Sequence, residues 1–209
     1  MSNEDKTPAT FGGASWAVRH QSHADDIGAH GLWSPCGLDT EWRPLRAVML
    51  SWPSADFATP GDADANLMLS WPDLHALEQQ CLNTQKFFES KGITVHMHRP
   101  TQPPPLNYLF MRDLVFMTPE GAVLCRPASP VRAPEARFTQ AALAEAGIPI
   151  LEMIRGTATV EGADCLWMNP DTVLVGIGTR TNEAGLEAVR SLLASMNVQV
   201  NAVRLPPRV

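Results

Sequence analysis

Two short segments hold most of the groups that could do chemistry. One is NYLFMRD at residues 107–113, with Asn107, Phe110, Arg112 and Asp113; the other is VEGAD at residues 160–164, with Glu161, Gly162, Ala163 and Asp164. A carboxylate accepts hydrogen bonds from two directions, so acids brought together in a buried site suit a planar cation with several donors. Taken alone, these acids read equally as surface carboxylates or as partners of Arg112 and nearby amides.

The elements that would position them can be read from apolar spacing. RAVMLSW after Pro44 has the density of a strand that Pro53 ends. Ser54–Asn66 reads as a polar loop. Leu74, Leu77, Cys81, Phe87 and Phe88 recur at helical spacing, with Pro72 and Asp73 as the start and Gly92 as the stop. ITVHMH follows as a strand, with His96 and His98 on one face. These two lack a third metal ligand and read as surface histidines. YLFMRDLVFM is expected as a strand that turns at Thr118–Gly121 into AVLCRP, followed by a helix ending near Gly147 and by the strand IPILEM.

The same order then returns, with strands at 165–168 and TVLVGIG, a helix from about Asn182 to Met196 and the strand VQVNAVRL. Asp113 and Asp164 are 51 positions apart, Glu135 and Glu183 are 48, and Gly147 and Asn197 are 50. A near-constant offset marks a repeated supersecondary unit, here strand, strand, helix, strand. With a looser first copy, the expected organisation is an irregular N-terminal arm or lid over 1–40 and units at about 41–100, 107–153 and 160–205. Trp52 and Trp71 flank the polar loop and read as pocket wall or as core aromatics of the first unit.

Composition narrows the function classes. Sixteen basic and 22 acidic residues give a formal charge of −6, which offers no footprint for nucleic acid or an anionic membrane. Thirteen of the basic residues are arginines. The four cysteines, Cys36, Cys81, Cys125 and Cys165, stand far apart, so neither a disulfide framework nor a zinc site is expected. The start, MSNEDKTPAT, is polar where a secretory signal is basic and then apolar, and no apolar run is long enough to span a bilayer. The expectation is a cytoplasmic protein.

In order and spacing, the motifs resemble those of the guanidine-modifying superfamily of arginine deiminases, dimethylarginine hydrolases and amidinotransferases. PLNYLFMRD resembles the first signature and Glu161-Gly162-Ala163-Asp164 a Glu-Gly-Gly-Asp motif. GIGTRTNEAG, with Arg180 and Thr181, resembles a third signature, and Arg132 with Glu135 a fourth. The resemblance spans roughly Glu41 to Leu205. It implies an α/β fold, a partial propeller of about three units out of five, whose equivalent ends converge on one pocket.

Asp113 and Glu161 are then the catalytic carboxylates that grip a substrate guanidinium, Asp113 also assisting proton movement. Asn107, Phe110, Arg132 and Arg180 are implied to bind substrate, the two arginines at its α-carboxylate, with a structural ion pair as the alternative for each. Arg112, Gly162, Asp164 and Thr181 are structural at the site. Ala163 stands where the family has glycine, a strain of about 1 kcal/mol if that position needs a positive φ. HGLWSPCGL around Trp33 resembles a loop that closes over the site in some members.

The resemblance further implies a cysteine thiolate that attacks the guanidinium carbon and a histidine acid–base. RLPPRV ends where the histidine motif is expected to begin, so both groups are expected outside this chain, which alone is expected to be inactive. Cys125 and Cys165 read as strand residues of the core. No metal or organic cofactor is implied. The expected activity is hydrolysis of arginine, a methylated arginine or a related guanidino compound. The alternatives are an amidinotransferase and an inactive homologue that binds a guanidino ligand or a protein. A complementary chain or self-association would cover the open propeller edges.

Overall fold

In the computed structural model of the chain, residues 7–29, 31–58 and 61–206 are described. The polar stretch 1–6, His30 of the HGLWSPCGL segment and the last three residues of RLPPRV lie outside them.

The fold is mixed α/β with three small sheets. The arm is mostly irregular and holds one six-residue helix, α1 (His23–Gly28), started by a capping box between Ser22 and Asp25. Strand β1 (Ala47–Ser51) leads through loop 52–73 into helix α2 (Leu74–Ser90), which opens where the Asp73 carboxylate accepts the Ala76 N–H at 2.7 Å. Strand β2 (Thr94–His98) returns parallel to β1. This first sheet has two strands rather than three, and no residue of α2 is fully buried.

The next two sheets share one topology. Strands β3 (Val115–Thr118) and β4 (Gly121–Leu124) form an antiparallel hairpin, and helix α4 (Glu135–Glu145) crosses to β5 (Ile150–Met153), parallel to β4. The hairpin β6 (Cys165–Asn169) and β7 (Thr172–Ile177), helix α5 (Glu183–Ala194) and parallel β8 (Gln199–Arg204) repeat the pattern. Chain direction reverses after α2, α4 and α5 at left-handed residues, Gly92 (φ +74°), Gly147 (φ +68°) and Asn197 (φ +59°). Gly121 is required for another reason as well, since a Cβ there would stand 2.5 Å from the Pro149 carbonyl oxygen.

The NYLFMRD segment departs from the expected strand. It forms a 3-10 turn at Leu106–Leu109 and the helical turn α3 (Met111–Leu114), and pairing begins only at Val115. Three successive prolines, 103–105, precede it and offer no N–H to a ladder. The VEGAD segment likewise forms a 3-10 turn, Gly162–Asp164, at the entry to β6.

The largest core cluster lies between these two sheets, where the Trp167 ring stacks on Phe116 with centroids 5.8 Å apart. The arm is laid against the same sheets. Ser34 N–H donates to the Gly147 carbonyl (2.9 Å) and Leu38 N–H to that of Thr118 (3.2 Å), while a Glu41 carboxylate oxygen accepts the Trp167 N–H (3.1 Å).

Candidate active site

The two acid-bearing corners meet. Phe110 caps the turn before α3, and Asp113 N–H donates to the Phe110 carbonyl, so the Asp113 side chain leaves the corner just ahead of β3. Glu161 precedes the 3-10 turn of the next unit, and its N–H donates to the Thr181 hydroxyl (3.1 Å). That hydroxyl donates in turn to Asp164 at 2.6 Å. The motif GIGTRTNEAG thereby holds VEGAD from below, and Asn182 adds to the grip by accepting both the Thr159 and Gly185 N–H groups.

Gly162 is buried at the closest approach of the corners. It has an ordinary negative φ, but a Cβ there would lie 2.6 Å from the Arg112 carbonyl oxygen. Close backbone contact, not a left-handed turn, is what calls for glycine. Ala163 likewise lacks a positive φ, so the strain considered for it does not arise. The Arg112 guanidinium crosses the seam, donating to the carbonyls of Gly162 and Cys165, the latter at 2.7 Å.

Arg132 lies at the centre. Its side chain is only 6% exposed. It donates through Nε and Nη2 to the fully buried Glu135 (3.1 and 2.9 Å) and through Nη1 to Asp113 (2.7 Å), and it approaches Glu161 to 3.9 Å. Its remaining Nη2 contacts are the carbonyls of Asn107 and Phe110. Protein acceptors therefore surround this guanidinium. Arg180 differs: its side chain is 60% exposed, and it reaches Glu161 at 3.2 Å from the rim.

Around this cluster is a cavity of about 520 Å³, lined among others by Asn107, Phe110, Asp113, Arg132, Glu161 and Arg180. Phe110 is half exposed and supplies an apolar wall. Leu67, Ala128, Ser129 and Thr179 also line it. These four, being apolar or small and polar, carry no chemical signal in the sequence. Leu67 arrives on the loop between β1 and α2 in a left-handed conformation (φ +59°), and the Asn107 side-chain amide holds that loop by donating to the Asn66 carbonyl (2.8 Å).

The electrostatics are unbalanced. Asp113, Glu135 and Glu161 face one buried guanidinium and one exposed one. Burial pushes the Glu161 carboxyl up from its ordinary value, Asp113 adds to the rise, and Arg180 and Arg132 oppose it. Burial likewise raises Glu135, with Arg132 opposing. A carboxylate raised by burial and a like charge is one that a further cation would relieve.

Other candidates lie elsewhere. Cys125 and Cys165 are buried, and burial raises both thiols, Cys165 to about 12. His98 is not a surface residue. It is 7% exposed, and its Nδ1 is 2.7 Å from the Tyr108 hydroxyl. Its Nε2 is 3.6 Å from Glu145. Trp52 stacks under the Arg99 guanidinium (3.7 Å), and Trp71 donates to the Gly61 carbonyl. Neither tryptophan lines the carboxylate cavity, nor do the described residues of the segment around Trp33.

A mixed α/β scaffold that turns two acid-bearing corners and an Arg-x-x-Glu pair onto one cavity belongs to the guanidine-modifying superfamily. Residues 78–206 match the arginine deiminase family, and the chain is a member of it. Among its relatives are an arginine deiminase of Rhodococcus erythropolis (35% identical over 91 residues, 41% of this chain and 22% of the relative) and the N(G),N(G)-dimethylarginine dimethylaminohydrolase of Streptomyces coelicolor (30% over 95 residues, 46% and 36%). A third is the putative hydrolase DDAH2 of Bos taurus (34% over 90 residues, 43% and 31%).

The matched region thus spans about a third or less of these relatives. Among solved structures, dimethylarginine dimethylaminohydrolase of Pseudomonas aeruginosa, a cysteine-to-serine mutant complexed with citrulline, is similar in fold. Its TM-score is 0.66 at 20% identity, covering 80% of this chain and 63% of that one. An amidinotransferase of the saxitoxin pathway from Microseira wollei has a TM-score of 0.65 at 16% identity, covering 82% and 63%. Among the described residues, no helix is long and apolar enough to cross a membrane.

Proposed function

We propose that this chain is the guanidinium-gripping part of a hydrolase acting on arginine, a methylated arginine or a related guanidino compound. The observation that carries this reading is the surplus of buried carboxylate: Asp113 and Glu161 face a common cavity in which Arg132 satisfies Glu135 and one oxygen of Asp113, leaving acceptor capacity on Glu161. A planar cation between Asp113 and Glu161 would neutralise that charge with paired N–H donors. Phe110 would wall the aliphatic stem and Arg180 would meet the α-carboxylate. Asn107, whose amide holds the Leu67 loop, orients the polar end of the ligand through that loop.

The superfamily's chemistry forms a bond from a thiolate to the guanidinium carbon, expels an amine or ammonia, and lets water release the product. Among the described residues lining the cavity there is neither cysteine nor histidine, so in this reading both come from outside that lining. The two units of identical topology are read as neighbouring blades of an α/β propeller arc, the looser first unit as another, and a complementary chain or second copy as the cover for their open edges. Family membership and the same carboxylate pair also fit an amidinotransferase, in which an amine replaces water.

Calorimetric titration with L-arginine, an N-methylated arginine and agmatine tests the grip. Binding of at least one, weakened by Asp113→Asn and by Glu161→Gln, is expected. A folded protein that binds none of them, or binds with both variants unchanged, would refute it.

A further inference from the structure

We propose that Glu41, immediately after the N-terminal arm, is a positioning residue for the Asp113–Glu161 pair and acts through Arg112. The proposal rests on the reading of that pair as the ligand grip. It starts from how the two corners are joined. Arg112 immediately precedes Asp113 in the chain, and Gly162 immediately follows Glu161. The Arg112 guanidinium donates to the carbonyls of Gly162 and Cys165, so one rigid fork on the first corner holds the second by its backbone. Both acceptors are neutral, and the Arg112 side chain is 46% exposed, so water competes for the cation.

Glu41 Oε1 stands 4.0 Å from Arg112 Nη2 and supplies the counter-charge on the outer side of the seam. The same oxygen accepts the N–H of Trp167 from the open edge of β6. Glu41 is itself fixed by the arm, which is pinned at Ser34 to the Gly147 carbonyl and at Leu38 to the Thr118 carbonyl. Leu38 packs on the main core cluster and Cys36 on the smaller cluster around β4. The arm is thus a strap across both acid-bearing units, and its last anchor touches the residue that sets their separation. None of its described residues lines the cavity, so their influence on a ligand is indirect.

Two substitutions separate edge capping from positioning. Glu41→Gln keeps an oxygen for the Trp167 N–H and removes the charge facing Arg112, whereas Glu41→Ala removes both. Amide hydrogen exchange by NMR reads the two effects without ligand. The Trp167 amide reports the edge cap, and the Asp164 amide, which donates to the Glu161 carbonyl at 2.9 Å, reports the corner that presents Glu161.

In Glu41→Ala both amides should exchange faster. In Glu41→Gln the Trp167 amide should stay at the native rate while Asp164 exchanges several-fold faster. L-arginine affinity should then fall by up to about fivefold, the most a partly exposed ion pair supplies. Arg112→Lys, which cannot fork across two carbonyls, should reproduce the Asp164 effect with the Trp167 amide unchanged. An Asp164 amide that exchanges at the native rate in Glu41→Gln overturns the proposal, whatever happens to arginine. If the native protein binds no arginine but Asp164 responds as expected, the guanidino reading fails and the positioning of the corner stands.

Discussion

Replacing Arg132 by methionine should be among the most damaging single changes in the chain, and its pH dependence should identify the cause. The native side chain bridges Glu135 through three short contacts and Asp113 through one, with Glu161 at 3.9 Å. Methionine keeps part of the volume but leaves two buried carboxylates, Glu135 and Glu161, and the partly buried Asp113 without their central cation. Breaking a buried ion pair by removing one partner costs about 3–5 kcal/mol. In a domain of this length each kcal/mol lowers Tm by about 2–4 °C, so a fall of about 6–20 °C is expected at pH 7.

The orphaned acids can escape by taking up protons. Glu135 and Glu161 already have pKa values raised by burial, and loss of Arg132 raises them further. The penalty should therefore shrink as the pH falls from 7 to 5. Adding Glu135→Gln to the variant should recover part of the loss at pH 7. Thermal melts followed by circular dichroism give all three values. A loss below about 1 kcal/mol at pH 7, or one that is the same at pH 5, would show that these charges are not held against one another in the interior.

Glu161→Gln should weaken guanidino-ligand binding by about 2–5 kcal/mol in calorimetry. Because Glu161 titrates above its ordinary value of 4.5 and a cation needs it ionised, native affinity should begin to fall while the pH is still above 4.5, and the variant should lose that component. Gly162→Ala should destabilise the protein by about 1–3 kcal/mol in urea unfolding, since the added carbon meets backbone oxygen rather than a movable side chain; a neutral result would remove the close-approach argument. Burial lowers the His98 pKa below 6.5 despite Glu145, so the stability it contributes is present above 6.5 and lost as the pH falls through the lowered value. His98→Asn should flatten the urea midpoint between pH 7 and 5, and an unchanged slope would assign that loss to other groups.

The parts of the fold that were legible in the sequence are those set by local rules. Asp73 and Gly92 delimit α2 because a carboxylate caps free N–H groups and glycine accepts a left-handed φ. The 50-residue offset between Gly147 and Asn197 holds because both end a helix in that conformation. NYLFMRD was misread as strand because its apolar residues suit a strand. Its helical turns reflect three prolines before it and the Arg112 fork within it, and only the fork is a long-range contact.

His98 looked exposed because period-two alternation says which face a side chain shares, not what covers that face. Here Tyr108 and Glu145 come from distant segments. Within the site, the acids and arginines were visible as types, but their pairing was not. Nothing in a linear string says that Arg132 would turn to Glu135 and Asp113 while Arg180 stays at the rim.

The arm leaves a signature on residue choice. Two equivalent helix ends carry the same backbone conformation, yet one uses glycine and the other asparagine. Position 197 is exposed, and asparagine tolerates a left-handed φ. At 147 the arm lies directly on the turn, and a Cβ would come within 2.8 Å of the Ser34 hydroxyl oxygen. Glycine there answers both to the left-handed φ and to a segment more than a hundred residues away. Gly92 ends α2 in the same conformation, and a Cβ there would meet nothing, so at 147 the strap adds a second demand to the one the turn already makes.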